Sequence, residues 1–306
     1  MSTGVNPVPY PIGLIEPSLW ERLPQGAAIA ALEEAAARAY GVPDAECVVA
    51  AAGAQAIIQV LPYVRPARRV AVLGFAYAEH AQCWRRAGAS VETIESLEEA
   101  VRYDALVVVN PNNPDGRLVP LARMQETSRR LAARGAMTIL DESFIDVTAP
   151  QDSLATVLAE GLVILRSFGK SYGLAGLRLG FALAKGPMAG ALREALGPWP
   201  VCGPAAAIGA RALGDAAWLA GARRRLALEA ERLDILLHGA GLEVVGGTPL
   251  FRLVRHPDAH RLFDRLGEQG ILARAFTERP DLLRFGLPGA EREWSLLERR
   301  LMQRDL

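Results

Sequence analysis

Short apolar runs recur along the first half of the chain and limit the folds that it can adopt. They occupy residues 47–50, 69–73, 105–109 and 137–140. Because each run is continuously apolar rather than alternating, the runs predict strands buried on both faces, as in a mostly parallel sheet. Amphipathic stretches between them, such as 27–40 and 121–134, predict helices. The sequence therefore predicts an α/β fold, whose ligands bind beyond the carboxyl ends of the strands.

The pattern changes after Gly214. A long helix pattern at about 216–240 precedes strand patterns at 243–245, 251–254 and 282–286, with a helix near 257–269 and a final helix. Fewer strands beside helices predict a smaller α+β unit. The predicted division is an N-terminal arm at 1–25 that belongs to the small lobe, a large domain at 26–214 and a small C-terminal domain at 215–306.

The composition argues against several classes of function. The 306 residues carry a formal net charge of +0, which disfavours a nucleic-acid or membrane partner. Three cysteines without a C-x-x-C spacing disfavour a disulfide framework and a structural zinc site. His256 and His260 could share a helix face, but no further ligand accompanies them, so no metal is expected. Without a membrane-length apolar stretch or a signal sequence, we expect a cytoplasmic protein.

The run at 167–181 contains the most informative lysine. Lys170 follows the strand-like segment 162–165, with Ser167 three residues before it and Arg178 eight residues after it. A partly desolvated amine is a nucleophile, and a hydroxyl with an arginine can hold a phosphate. These groups favour a Schiff-base site for pyridoxal phosphate (PLP). Most lysines are solvated surface charges, so other segments must supply the rest of the site.

Polar residues at the ends of other predicted strands are candidates for that site. Asn113 lies in the turn at 110–116 and can donate to a phenolate oxygen, or it can simply form the turn. Asp141 ends a strand and can pair with a pyridine nitrogen, or it can cap a helix. The small residues Gly53 and Ala54, with Gln55, open a helix and can approach an anion. Tyr77 can stack on a flat ring or pack in the core.

The order of these motifs resembles the fold-type I PLP-dependent enzymes, in the branch of histidinol-phosphate aminotransferases and threonine-phosphate decarboxylases. The resemblance covers almost the whole chain. Within the branch, five segments are most similar to the threonine-phosphate decarboxylases of cobalamin synthesis: 4–7, 74–80, 165–170, 196–199 and 246–251.

The resemblance implies a role for each candidate residue. Lys170 would bind the cofactor covalently, Asp141 would pair with its ring nitrogen, and Asn113 would donate to its ring oxygen. Five residues would hold the cofactor phosphate: Gly53, Ala54, Gln55, Ser167 and Arg178. Tyr77 would stack on the ring, and Arg284 and Asn6 would contact the substrate, Arg284 through its carboxylate. The domain at 26–214 would be the PLP-binding domain, and the protein would be a homodimer.

The chain departs from the family pattern at three places. Phe144 stands where many of the aminotransferases have a tyrosine that donates to the ring oxygen, so the pKa of the lysine-bound cofactor should be higher. Gly169 replaces a hydroxyl residue that is often found just before the lysine, which removes one possible contact with the phosphate. The chain opens almost directly at 2–7, whereas relatives usually begin earlier, with an arm that contains histidine and glycine near the substrate phosphate.

Three hypotheses about function follow. The first is decarboxylation of O-phospho-L-threonine, an amino-acid phosphate, to 1-amino-2-propanol phosphate. The second is an aminotransferase for histidinol phosphate or another amino acid, which would break the α C–H bond at the same site. The third is a PLP-binding protein that has lost catalysis and serves as a partner in corrin synthesis. The intact set of Lys170, Asp141, Asn113 and Arg284 favours an enzyme over the third hypothesis.

Overall fold

A seven-stranded sheet forms the larger part of the molecule. The computed structural model describes residues 1–302. The strands are β1 (Val48–Ala51), β2 (Arg69–Leu73), β3 (Ser90–Ile94), β4 (Ala105–Val109), β5 (Met137–Asp141), β6 (Leu162–Ser167) and β7 (Gly180–Ala184). Their order is β1-β7-β6-β5-β4-β2-β3, and only β7 runs antiparallel to its neighbours. The predicted mostly parallel sheet is confirmed.

Helices cover both faces of this sheet. They are α1 (Ser18–Glu21), α2 (Gly26–Tyr40), α3 (Ala54–Val64), α4 (Ala78–Arg86), α5 (Leu121–Ala132), α6 (Ile145–Thr148), α7 (Phe168–Ser171), α8 (Pro187–Leu196) and α9 (Gly203–Gly214). Successive residues of β4 contribute to two different hydrophobic clusters. Leu106 and Val108 belong to one, Ala105 and Val107 to the other. Both faces of the strand are therefore buried, which explains why its sequence is continuously apolar.

A second, four-stranded sheet follows in the chain. It contains β8 (Glu243–Thr248), β9 (Phe251–Arg255), β10 (Arg274–Ala275) and β11 (Leu282–Gly286), together with α10 (Ala216–Gly239), α11 (Ala259–Glu268) and α12 (Glu291–Leu301). Its order is β10-β11-β9-β8, and every pair is antiparallel. The Asp215 side chain accepts a hydrogen bond from the Trp218 amide and so caps α10. No helix within residues 1–302 is long and apolar enough to cross a membrane.

Two strands of the large sheet were not predicted. In β3, at the sheet edge, four of the five residues are partly or fully exposed, so it lacks the apolar run of a buried strand. The short apolar segment of β7 overlaps the end of the lysine-bearing run at 167–181, so the sequence does not distinguish it as a separate strand. The carboxyl ends of β4, β5 and β6 lie side by side. The loop at 110–116, which we call the asparagine loop, follows β4, Asp141 is the last residue of β5, and α7 follows β6.

Candidate active site

Lys170 lies on α7, directly after β6, with its side chain largely buried. Its Nζ is 5.5 Å from the centre of the Phe144 ring. Burial lowers the pKa of Lys170, as does the positive charge of Arg284, while Asp141 opposes these effects and Arg178 adds to them. The amine is therefore more readily neutral, and so more nucleophilic, than a solvated lysine. The only other lysine of the chain, Lys185, is exposed at the far end of β7.

Asp141 ends β5 and is 3% exposed. Its Oδ2 lies 2.9 Å from His80 Nε2, and its Oδ1 accepts hydrogen bonds from the amide and the hydroxyl of Ser143. Burial by itself would raise the pKa of Asp141, but the hydrogen bonds and the charge of His80 lower it below its usual value. Asp141 therefore remains ionised in a buried place.

His80 was not identified from the sequence, because its partner Asp141 is 61 residues away. A weak signal existed. Tyr77 and His80 are three residues apart at the start of α4, a spacing that brings side chains together on a helix. Their rings are 6.2 Å apart in an edge-to-face arrangement.

Three predicted phosphate-binding residues meet at one end of the large sheet. Ser167 is paired with Gly180, which is also paired with Ala51, two residues before Gly53. Gly53 precedes α3 with φ of 85°, and a Cβ there would lie 2.8 Å from Arg178 Nη2. The Arg178 guanidinium thus lies against the start of α3, whose first amides have no helical partners. A hydroxyl, an arginine and the first amides of a helix thus lie together here, and such groups can bind an anion.

Tyr77 and Gln55 are joined beside this cluster. The Tyr77 hydroxyl donates to Gln55 Oε1 at 3.2 Å, and Gln55 Nε2 donates to Glu79 at 3.1 Å. The Gln55 side chain is therefore held by protein groups, while its backbone amide lies with that of Ala54 in the first turn of α3. Tyr77 is 38% exposed, so part of its ring faces solvent.

Arg284 is a buried cation on β11. It is 8% exposed, its Nη1 donates to Asn113 Oδ1 at 2.5 Å, and its Nη2 donates to the Ser2 carbonyl at 2.8 Å. Both acceptors are neutral, and no carboxylate within residues 1–302 forms an ion pair with it. Burial, with a contribution from the charge of Arg274, lowers the pKa of Arg284 to about 10. A buried guanidinium without an anionic partner is suited to bind an anion.

Two further residues near Arg284 bear on the site. Asn113 uses its Oδ1 for Arg284, which leaves its Nδ2 to donate elsewhere. Arg274 pairs with Arg284 across β10 and β11 and places a second positive charge nearby. Arg274 was not identified from the sequence, because only strand pairing brings it beside Arg284.

The N-terminal residues form one wall of the site. The Met1 carbonyl accepts from the Gly286 amide at 2.7 Å. The Asn6 amide donates to the Lys170 carbonyl and its Nδ2 donates to the Ser171 carbonyl, both at 2.9 Å. Asn6 Oδ1 accepts from Arg225 at 3.0 Å. Asn6 therefore holds α7 in place, and its predicted contact with substrate stays a prediction.

An aromatic stack supports α7 from the other side. The Tyr172 ring is parallel to those of Phe168, with centres 4.3 Å apart, and Trp218, with centres 5.6 Å apart. Tyr10 contacts Tyr172 and Trp218 edge to face. The stack connects the lysine-bearing helix to the start of α10.

Two departures from the family pattern have structural reasons. Phe144 is 2% exposed and packs edge to face on Phe251, with ring centres 5.1 Å apart. At Gly169, a Cβ would lie 2.7 Å from the Ala175 Cα, so the backbone leaves no room for a side chain.

Comparison with known proteins identifies the family. The family model for aminotransferase class I and II matches residues 16–294. The chain belongs to this family. It is 44% identical to a threonine-phosphate decarboxylase of Pseudomonas aeruginosa over 99% of this chain and 90% of the relative. It is 40% identical to a threonine-phosphate decarboxylase of Sinorhizobium sp over 94% of this chain and 86% of the relative.

A structural comparison confirms the predicted fold-type I architecture. The histidinol-phosphate aminotransferase of Sinorhizobium meliloti, solved in complex with pyridoxal-5'-phosphate, superposes with a TM-score of 0.84 at 23% identity. The match covers 97% of this chain and 88% of that chain. At this level of identity, the likeness establishes the fold of this family member.

Proposed function

We propose that this chain is a PLP-dependent lyase that decarboxylates O-phospho-L-threonine to 1-amino-2-propanol phosphate, in the synthesis of the cobalamin side chain. The observation that carries the proposal is the buried Arg284, a cation that has no anionic partner within residues 1–302 and that acts electrostatically on Lys170. An amine near a buried arginine that can bind a carboxylate suits chemistry at an amino acid. The names of the two relatives with near-complete coverage supply the choice of reaction and substrate.

The residues at the site fit PLP. Two cations, Arg284 and Arg178, and one carboxylate, that of Asp141, act electrostatically on Lys170 within the described residues. A positive site suits a ligand that carries a phosphate. Gly53 lets the Arg178 guanidinium lie against the start of α3, because a Cβ at that position would come within 2.8 Å of Arg178 Nη2. When bound, PLP supplies an electron sink for the bond broken at the α-carbon.

The role of each residue follows from its geometry. Ser167, Arg178 and the first amides of α3 would hold the phosphate, and Tyr77 would stack on the ring. Asp141 would hold a proton on the ring nitrogen, because hydrogen bonds from His80 and Ser143 keep its carboxylate ionised. Asn113 would donate its Nδ2 to the ring oxygen, since Arg284 occupies its Oδ1.

The substrate would be held by the arginines. Arg284 would bind the carboxylate and so orient the bond to be broken, while Arg274 adds positive charge for a second anionic group. Phe144 excludes water beneath the amine of Lys170. With its lowered pKa, Lys170 would bind the cofactor as a neutral amine and later return a proton to the α-carbon.

Phosphorus NMR of the PLP-loaded protein with O-phospho-L-threonine, without a keto-acid acceptor, tests the proposal. We expect catalytic formation of 1-amino-2-propanol phosphate. Lys170→Ala should lower the rate at least about 10²-fold, because it removes both the amine and the proton donor. Lys185→Ala is the matched control and should retain the rate, since Lys185 is exposed. Conversion of the cofactor to its pyridoxamine form without turnover would instead identify an aminotransferase.

We further propose that the enzyme is a cytoplasmic homodimer. Cys47, Cys83 and Cys202 are all free thiols, as is usual in a reducing compartment. Large apolar side chains are exposed along the N-terminal segment, with Leu14 99%, Trp20 68% and Leu23 63% exposed. An apolar surface of this kind is typical of an interface.

A further inference from the structure

The Gly-Gly pair at the start of segment 246–251 lies against the loop that follows β4. The amide of Gly247 donates to the Asp115 carbonyl at 2.8 Å. A Cβ at Gly246 would overlap the same carbonyl, and a Cβ at Gly116 would overlap the Gly247 carbonyl. We call this backbone contact, formed by Asp115, Gly116, Gly246 and Gly247, the glycine seam. It joins the large sheet to the small one.

Gly246 is required here for its size. Gly116 and Gly247 have φ of 73° and 150°, which side chains rarely adopt, whereas Gly246 lies outside that range. A substitution at Gly246 therefore tests the close approach separately from backbone strain. The obstructing atoms belong to the Asp115 backbone, so a side chain at Gly246 must displace either the loop or the sheet.

The seam lies in register with Arg284. Arg284 of β11 pairs with Leu253 of β9, and Leu253 pairs with Gly246 of β8. Gly246 contacts Asp115, which lies two residues after Asn113, and Asn113 accepts a hydrogen bond from Arg284. The contacts thus form a closed ring that begins and ends at Arg284.

The loop on the other side of the seam is held by hydrogen bonds to the Asp115 side chain. Asp115 Oδ1 accepts from Asn112 Nδ2 at 2.8 Å and from the Arg117 amide at 3.0 Å. Asn112 Nδ2 also donates to the Phe75 carbonyl at 3.0 Å. A loop braced in this way transmits a displacement at Asp115 to Asn113.

We propose that Gly246 is a positioning residue for carboxylate binding, because the glycine seam sets the distance between Arg284 and Asn113. A side chain at Gly246 moves the paired residues Gly246, Leu253 and Arg284 away from the asparagine loop. Displacements of about 1 Å at such a site cost up to about 10²-fold in binding or rate. The proposal rests on the carboxylate role of Arg284 proposed above.

The test is a titration of the PLP-loaded protein with maleate, a dicarboxylate that has no amino group to react. Binding is followed by the visible absorbance of the lysine-bound cofactor. Gly246→Ala should weaken maleate binding at least about tenfold while its affinity for PLP stays at the wild-type value. Gly267→Ala is the matched control, since Gly267 lies on α11 and a Cβ there meets nothing within 4 Å. This variant should bind maleate like the wild type.

A double-variant cycle then tests whether Gly246→Ala weakens maleate binding through Arg284. In an Arg284→Gln background the seam has no guanidinium to position, so Gly246→Ala should cause little further loss of maleate binding. Wild-type maleate affinity in Gly246→Ala, or losses that add fully in the double variant, would overturn the proposal. An equal loss of PLP and maleate binding would do so as well, because it indicates general damage.

A second variant covers the case in which Gly246→Ala does not fold. Asp115→Ala removes the acceptor that braces the loop and should weaken maleate binding, whereas Asp115→Asn retains an acceptor and should restore it. Equal maleate affinity in Asp115→Ala and Asp115→Asn would contradict the proposal. If the wild type binds maleate but does not convert O-phospho-L-threonine, the proposed reaction is wrong. The maleate titrations still test the proposal about Gly246 in that case.

Discussion

At the scale of single residues, we expect the buried Lys170 to lower the free energy of unfolding of the protein. Burial and two arginines lower its pKa from 10.5, so between the two pKa values the unfolded chain binds more protons than the folded one. Stability therefore rises with pH in this window. The destabilising effect of Lys170 is fully present below the lowered pKa and disappears as the pH rises past 10.5.

We accordingly expect Lys170→Met, in the cofactor-free protein, to raise the free energy of unfolding at pH 7. Urea unfolding at a series of pH values measures the difference, which should shrink as the pH approaches 10.5. Lys185→Met is the control and should show no such gain, since Lys185 is exposed. A gain that is independent of pH would assign the effect to apolar packing instead.

At the scale of elements, a buried ionic cluster ties β5 to β6 behind the site. Arg166, which precedes Ser167, donates to Glu142 at 3.0 Å, to Ser153 at 3.1 Å and to Asp146. Glu142 follows Asp141 directly, and its amide donates to the Leu165 carbonyl at 2.9 Å. The cluster therefore fixes the ends of the two strands that carry Asp141 and Ser167.

Removal of Arg166 should be more damaging than neutralisation of Glu142. Arg166→Met leaves two buried carboxylates without their cation and should cost about 3–5 kcal/mol of stability. Glu142→Gln leaves Arg166 paired with Asp146 and retains one acceptor oxygen, but its amide NH2 faces a buried donor, so its cost should be about 1–3 kcal/mol. Free energies of unfolding in urea compare the two variants, and equal costs would contradict this account.

At the scale of the whole molecule, the exposed apolar segment near the N-terminus predicts the oligomeric state. Light scattering should give a mass of about twice 32.8 kDa. The double variant Leu14→Asp, Trp20→Asp should shift the protein to the monomer, because it places charge on side chains that are 99% and 68% exposed. Leu228→Asp, at a residue 67% exposed on α10, is the control and should leave the mass unchanged. A monomeric wild type would refute the homodimer.

The sequence predicts those parts of the molecule whose signals are local. The buried parallel strands are recognisable because both of their faces are apolar, and Lys170 is recognisable from its immediate neighbours. Edge strand β3 is not, since its side chains face solvent. Arg274 has no local signal, and His80 has only its three-residue spacing from Tyr77, because pairing with Arg284 and with Asp141 determines their positions. Contacts between distant segments are set by the assembled fold.

The aromatic stack on α7 gives the molecule an optical property of its own. Among the five tryptophans, Trp218 is separated from the lysine-bearing helix by the thickness of one tyrosine ring. A chromophore attached to Lys170 would lie close enough to this indole to accept its excitation energy. Intrinsic fluorescence therefore provides a label-free gauge of how many molecules carry the cofactor, without any reaction having to occur.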